Sequence, residues 1–130
     1  MKTKIIFLKI AGFLSLFTAF LHTIGGQLTD VNPLLKSNLE NLPKTEVLGA
    51  WHMVTITLFS TSFVWLYFAY KRKENLNIEL LKFISYLYIL YGIGFIIVSL
   101  FQGIFAPQWI LLLPNGVLGL LGLKNKTEHA

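Results

Sequence analysis

Seven polar or amphipathic side chains are placed so that they could meet at one depth of a helical bundle. They are His22, Gln27, Trp51, His52, Gln102, Gln108 and Trp109. Imidazole, amide and indole groups hold polar ligands by hydrogen bonds, and a mostly apolar pocket with a few such groups is the usual small-molecule site. These residues are therefore our candidate ligand-binding set.

The elements that must position this set are four apolar segments. Each approaches or exceeds the roughly 20 residues needed to cross a bilayer, and in lipid each should be a helix. Hydrophobic residues make up 55% of the chain and charged residues 13%, against about 25% charged in soluble domains. We expect one all-α integral membrane domain, 1–130, a four-helix transmembrane bundle running up-down-up-down. The segments are 5–23, 49–70, 80–102 and 107–123.

The basic residues predict the orientation of this bundle. In a four-span topology nine of the eleven fall on one side: Lys2, Lys4, Lys9, Lys71, Arg72, Lys73, Lys82, Lys124 and Lys126. The positive-inside rule then places both termini and the tail, 124–130, in the cytoplasm and the loop 24–48 outside. Gly25 and Gly26 should end the first helix before that loop. The expected location is the inner (plasma) membrane, with multiple spans.

Small and weakly polar residues predict which helix faces pack together, because membrane helices associate through such residues. Ala11, Ser15 and Thr18 continue at helical spacing to His22 and Gly25. Ser85, Gly92 and Ser99 recur every seven residues. Gly116, Gly119 and Gly122 recur every three, and we expect this row to pack helices, with contact between two copies of the chain as its possible use.

The candidate set at the outer face allows three interpretations. His22 and His52 could be structural, could bind a lipid, a quinone or another small molecule, or could ligate a haem for electron transfer. A metal site is expected only if haem is present, since a stable zinc site usually needs three or four protein ligands.

The chain lacks cysteine and has no paired carboxylates within its apolar segments. We therefore assign no catalytic residue, expect no cofactor and leave enzymatic activity open. We expect an accessory or interaction protein whose partners are the lipid bilayer and a second copy or a larger membrane complex, and not nucleic acid.

Overall fold

The computed structural model describes residues 2–71 and 77–123, and over these ranges the chain is helical without strands. The expected all-α class is confirmed, and the described residues form four main helical rods, of which the last, α5, is the shortest. The tail 124–130 and the cluster Arg72–Lys73 lie outside the described residues. The helices are α1 (Lys2–Phe20), two π-helical segments (Leu21–Gly25 and Gln27–Val31), α2 (Asn32–Lys36), α3 (Asn41–Tyr70), α4 (Ile78–Gln102) and α5 (Trp109–Leu123).

Three of the rods are long and apolar enough to cross a membrane. They are Ile5–Lys36, Asn41–Tyr70 and Ile78–Gln102, whereas α5 is a shorter apolar helix of 15 residues. Their length and composition indicate a membrane protein.

The segment 24–48, expected as a loop, is largely helical. Gly26 has φ −68° and ψ −27°, so the chain continues through both glycines into the second π-helical segment and α2. Glycine tolerates a helix end but does not force one. Pro43 lies in the first turn of α3, where its missing N–H would have no intrahelical partner anyway. The non-helical connection is confined to residues 37–40.

Helix α1 lies at the centre of the arrangement. It packs along α3 on one side and α5 on the other, and α5 packs in turn along α4. A short turn joins α4 to α5: Gly103 adopts the left-handed conformation (φ +62°), and the Ala106 N–H donates to Ser99 Oγ at 3.1 Å. A positive φ carries no steric cost for glycine, which explains this residue at the end of α4.

The predicted small-residue faces are buried over most of their length, whereas His22, Gly25 and Ser99 at their ends are half-buried. Ala11, Ser15 and Thr18 are at most 8% exposed. The glycine row of α5 also lies inside the bundle: a Cβ on Gly116 would meet the Ser85 backbone, and one on Gly122 would meet Leu8. These glycines therefore pack α5 against α4 and α1, and the row is not available as a contact face for a second copy.

Burial is concentrated at one end of the bundle. No residue is buried within 41–57 of α3 or within 93–111 of α4, its turn and the start of α5. The reason is partly length: at about 1.5 Å per residue, α5 is too short to cover the last turns of α4. We call residues 41–57 and 93–102 the open end. The packed half consists of residues 8–19, 58–69, 81–92 and 112–122.

Candidate functional site

His22 lies flat against the indole of Trp51. The two ring centroids are 3.8 Å apart and the ring planes are inclined by 19°. The His22 Nε2 also lies 3.5 Å from the Trp51 carbonyl oxygen, which it can approach only as a donor. The pair joins the first rod (Ile5–Lys36) to α3. Both residues lie outside the packed half, on the side of the open end.

A widened turn and a glycine make room for this stack. His22 lies in the π-helical segment Leu21–Gly25, and isolated π-helical turns are frequent at functional sites. A Cβ on Gly26 would overlap the six-membered ring of Trp51 and would also lie 3.3 Å from the Asp30 carboxylate. Any larger residue at position 26 would therefore have to displace the Trp51 ring, so the glycine serves the ring stack and not an unusual backbone conformation.

His52 does not share the position of Trp51. Consecutive helical residues point about 100° apart, and because Trp51 faces His22, His52 is directed away and is exposed. Of the two candidates on α3, the one that contacts His22 is the indole, which cannot ligate a metal.

The other members of the candidate set have separate surroundings. Gln27 donates from Nε2 to Asn32 Oδ1 at 3.0 Å. Trp109 packs edge-on against Phe105, with centroids 6.5 Å apart. Gln102 and Gln108 are exposed. The contacts thus bring together His22 and Trp51 and do not link the remaining five residues to them.

Metal-ligating residues do not cluster in the part of the chain that the structure describes. Within residues 2–71 and 77–123 there is no group of three or more His, Asp or Glu side chains placed to hold an ion. His129 lies outside these ranges.

A buried chain of hydroxyl groups crosses the packed half. Tyr88 of α4 bonds to Ser15 of α1 at 2.5 Å and to Thr61 of α3 at 2.8 Å. Thr61 is also bonded to the Thr57 carbonyl oxygen at 2.7 Å. A hydroxyl has one hydrogen to donate, so if Thr61 donates to that carbonyl, Tyr88 must donate to Thr61 and Ser15 must donate to Tyr88.

Asn115 of α5 bonds to α1 beside this chain of hydroxyl groups. With the side-chain amide oriented to match its neighbours, Nδ2 donates to the Ala11 carbonyl at 2.8 Å and Oδ1 accepts from the Ser15 N–H at 3.2 Å. Both side chains, Asn115 and Ser15, are completely buried. The amide therefore bonds directly to the backbone of α1, at Ala11 and at Ser15 itself.

Trp65 completes this interior cluster. Its ring lies 4.9 Å from that of Tyr88 and is fully buried. Its Nε1 has no hydrogen-bond partner among the described residues. The cluster of Ser15, Thr61, Trp65, Tyr88 and Asn115 contains neither a carboxylate nor a histidine. Its hydrogen bonds hold α1, α3, α4 and α5 together, and it has no group suited to acid–base work near neutral pH.

The sequence predicted an inward face for Ser15 but did not connect it to the other residues of this cluster. Ser15 and Tyr88 are 73 positions apart, and their meeting depends on the relative heights of two helices. The usable signal was the presence of hydroxyl and amide groups on four apolar segments, because such groups need partners in lipid.

Comparisons with protein-family models, with curated proteins and with solved structures give no match to this chain.

Proposed function

We propose that this chain is a multi-pass protein of the inner (plasma) membrane that acts as an accessory subunit, binding a transmembrane helix of another protein at its open end. The four rods would run up-down-up-down with both termini in the cytoplasm. The apolar rods and the one-sided distribution of basic residues support this placement. The shorter helix α5 would cross the bilayer because the residues that flank it reach the interface and the bilayer thins locally.

The observation that carries the interaction role is the uncovered stripe along α4. Leu90, Gly94, Ile97 and Phe101 follow one another at helical spacing, and all are exposed. Phe101 is 85% exposed, the largest value among the exposed apolar side chains. An apolar surface alone would be satisfied by lipid. A glycine between large side chains, however, forms the notch into which a neighbouring membrane helix packs.

Gly94 supplies that notch. A Cβ built there meets no heavy atom within 4 Å, so the bundle itself makes no use of the glycine. Glycine in a helix interior costs about 1 kcal/mol relative to alanine. Close packing of a partner helix against this surface would explain the glycine, whereas no contact within the chain explains it.

Site-specific photocrosslinking tests this proposal. A photoreactive amino acid would replace Ile97 or Phe101 in turn, with Phe83 as the matched control, because Phe83 is 62% exposed but lies on the packed half of the same helix. We expect one discrete heterologous product from positions 97 and 101, lost when Gly94→Leu is added to the Phe101 variant. Equal products at all three positions, or products of two copies of this chain, would contradict the proposal.

The ring stack favours a second candidate, binding of a small aromatic molecule such as a quinone beside His22. The imidazole is only partly buried, and its stacking on Trp51 gives a flat surface with polar edges. A water-soluble short-chain quinone should quench part of the tryptophan fluorescence, His22→Ala should remove that part, and His52→Ala should not. Identical quenching in all three proteins would eliminate this candidate.

Haem binding receives no such support. The group against His22 is the Trp51 ring, whereas a haem with two histidine ligands needs both imidazoles to face the same space.

A further inference from the structure

An aromatic groove lies on the surface of α3 at the opposite end from the open end. It is a shallow, largely open depression with a volume of about 550 Å³, and its surface is almost entirely apolar. Its walls come from Phe63, Leu66, Tyr67 and Tyr70, which share one face of α3, and Lys71 forms its edge. A groove of this shape accepts a flexible apolar chain better than a compact polar molecule.

Two ammonium groups stand at the polar end of this groove. Lys71 Nζ lies 4.7 Å from the centre of the Tyr67 ring and also bonds to the Tyr67 hydroxyl. Lys9 of α1 reaches over from the neighbouring helix, with its Nζ 4.2 Å from the centre of the Tyr70 ring. The aromatic rings thus hold two cations from two helices beside one apolar groove.

Carboxylates do not neutralise these cations in the described part of the chain. Among the side chains that the structure describes, in residues 5–71 and 77–123, the one ion pair joins Lys82 to Glu79 at 2.9 Å. The end of α3 also presents carbonyl oxygens, which by themselves repel an anion. Any anion at this place must therefore be held by the lysines.

We propose that this groove binds an anionic phospholipid, with the headgroup phosphate between Lys9 and Lys71 and one acyl chain along Phe63 and Leu66. Charge complementarity selects the headgroup, and the continuous apolar wall below it selects a lipid over a free anion. Basic groups at the cytoplasmic surface are attracted to anionic lipids, and the predicted topology places this end of α3 at that surface. The proposal rests on membrane insertion and is independent of the partner contact at the open end.

Native mass spectrometry of the full-length protein in detergent tests it. Dioleoyl-phosphatidylglycerol and dioleoyl-phosphatidylcholine would be titrated separately into wild type and into Lys9→Gln, Lys71→Gln and Lys82→Gln. Lys82→Gln is the matched control because it removes one charge from the same end of the bundle, away from the groove. We expect preferential binding of phosphatidylglycerol, weakened about fivefold by either groove substitution and unchanged by Lys82→Gln.

Two further measurements keep the test decisive if a variant fails to fold. Lys71→Arg should retain the preference, and in wild type added salt should weaken phosphatidylglycerol binding more than phosphatidylcholine binding. Equal affinity for both lipids, or equal loss in all three Gln variants, would overturn the proposal. Displacement of phosphatidylglycerol by inorganic phosphate would also overturn it, since the site would then recognise an anion alone.

These outcomes separate the lipid site from the proposed function. Loss of lipid preference with intact crosslinking at position 101 would reject only the lipid site. Failure of the protein to remain with membranes after alkaline extraction would reject membrane insertion and with it both proposals.

Discussion

Gly92 and Gly94 lie two residues apart on α4 and have opposite surroundings. A Cβ on Gly92 would lie 2.6 Å from Leu113 Cγ of α5, whereas one on Gly94 would meet nothing within 4 Å. The two residues point about 200° apart around α4, so the first faces α5 and the second faces away from it. The same helix therefore uses one glycine to bind its own neighbour and leaves the other uncovered.

Alanine at these two positions should consequently have opposite effects. Gly92→Ala should lower the free energy of unfolding by about 1–3 kcal/mol, the usual cost of overpacking. Gly94→Ala should leave it unchanged or raise it by up to about 1 kcal/mol, because alanine favours the helix. Unfolding of both variants in mixed detergent micelles measures the difference. Equal destabilisation would mean that the face of α4 that carries Gly94 is covered as well.

Removal of the Tyr88 hydroxyl should weaken the contact among three helices. Tyr88→Phe loses the bonds to Ser15 and Thr61, and we expect a loss of about 1–2 kcal/mol in the free energy of unfolding. Tyr86→Phe is the control, because Tyr86 is 54% exposed on the same helix. In a double-mutant cycle with Ser15→Ala, the two losses should be less than additive. Full additivity would show that the two hydroxyls do not interact.

Gly26 should tolerate substitution much less well than its neighbour Gly25. A Cβ on Gly26 would displace the Trp51 ring, while one on Gly25 would make an ordinary contact with Leu21 at 3.4 Å. Gly26→Ala should therefore shift the Trp51 emission and destabilise the pairing of the first rod with α3, and Gly25→Ala should do neither. Matching spectra for the two variants would argue against the observed ring stack.

The predicted topology can be mapped with single cysteines, since the native chain has none. Asn38→Cys lies between α2 and α3, and Glu79→Cys lies at the start of α4, where the native side chain is 82% exposed. A membrane-impermeant maleimide should label position 38 in intact cells and position 79 only after permeabilisation. The reverse pattern would invert the orientation, and labelling of both in intact cells would rule out the four-span arrangement.

The buried helix faces and the helical state of the apolar segments could be predicted from the sequence because their signals are local. The spacing of Ala11, Ser15 and Thr18 identifies a buried helix face whatever the neighbouring helices are, and Gly116, Gly119 and Gly122 identify a packing face in the same way. The helical state of the apolar segments follows from the lack of water in lipid.

The candidate site could not be derived in the same way. The partner of His22 depends on the rotation of α3, and a change of one residue, from His52 to Trp51, turns the side chain by about 100°. The continuation of helix past Gly25 and Gly26 reflects packing against Trp51, which local preferences do not contain. The link between Ser15, Tyr88 and Asn115 requires the relative heights of three helices, and the spacing within any one of them leaves these heights open.

The most direct measurement of the proposed role is native mass spectrometry of the wild-type protein purified gently from its own membrane, beside Gly94→Leu and Val98→Leu. Val98 is 57% exposed and lies one turn further along the same face of α4, so its variant enlarges an exposed side chain beside the glycine notch without filling it. We expect a partner protein to accompany wild type and Val98→Leu and to be lost from Gly94→Leu, with the thermal stability of the chain itself unchanged. The same partner mass retained in Gly94→Leu, or a single unaccompanied chain in all three preparations, would contradict an accessory role through the open end.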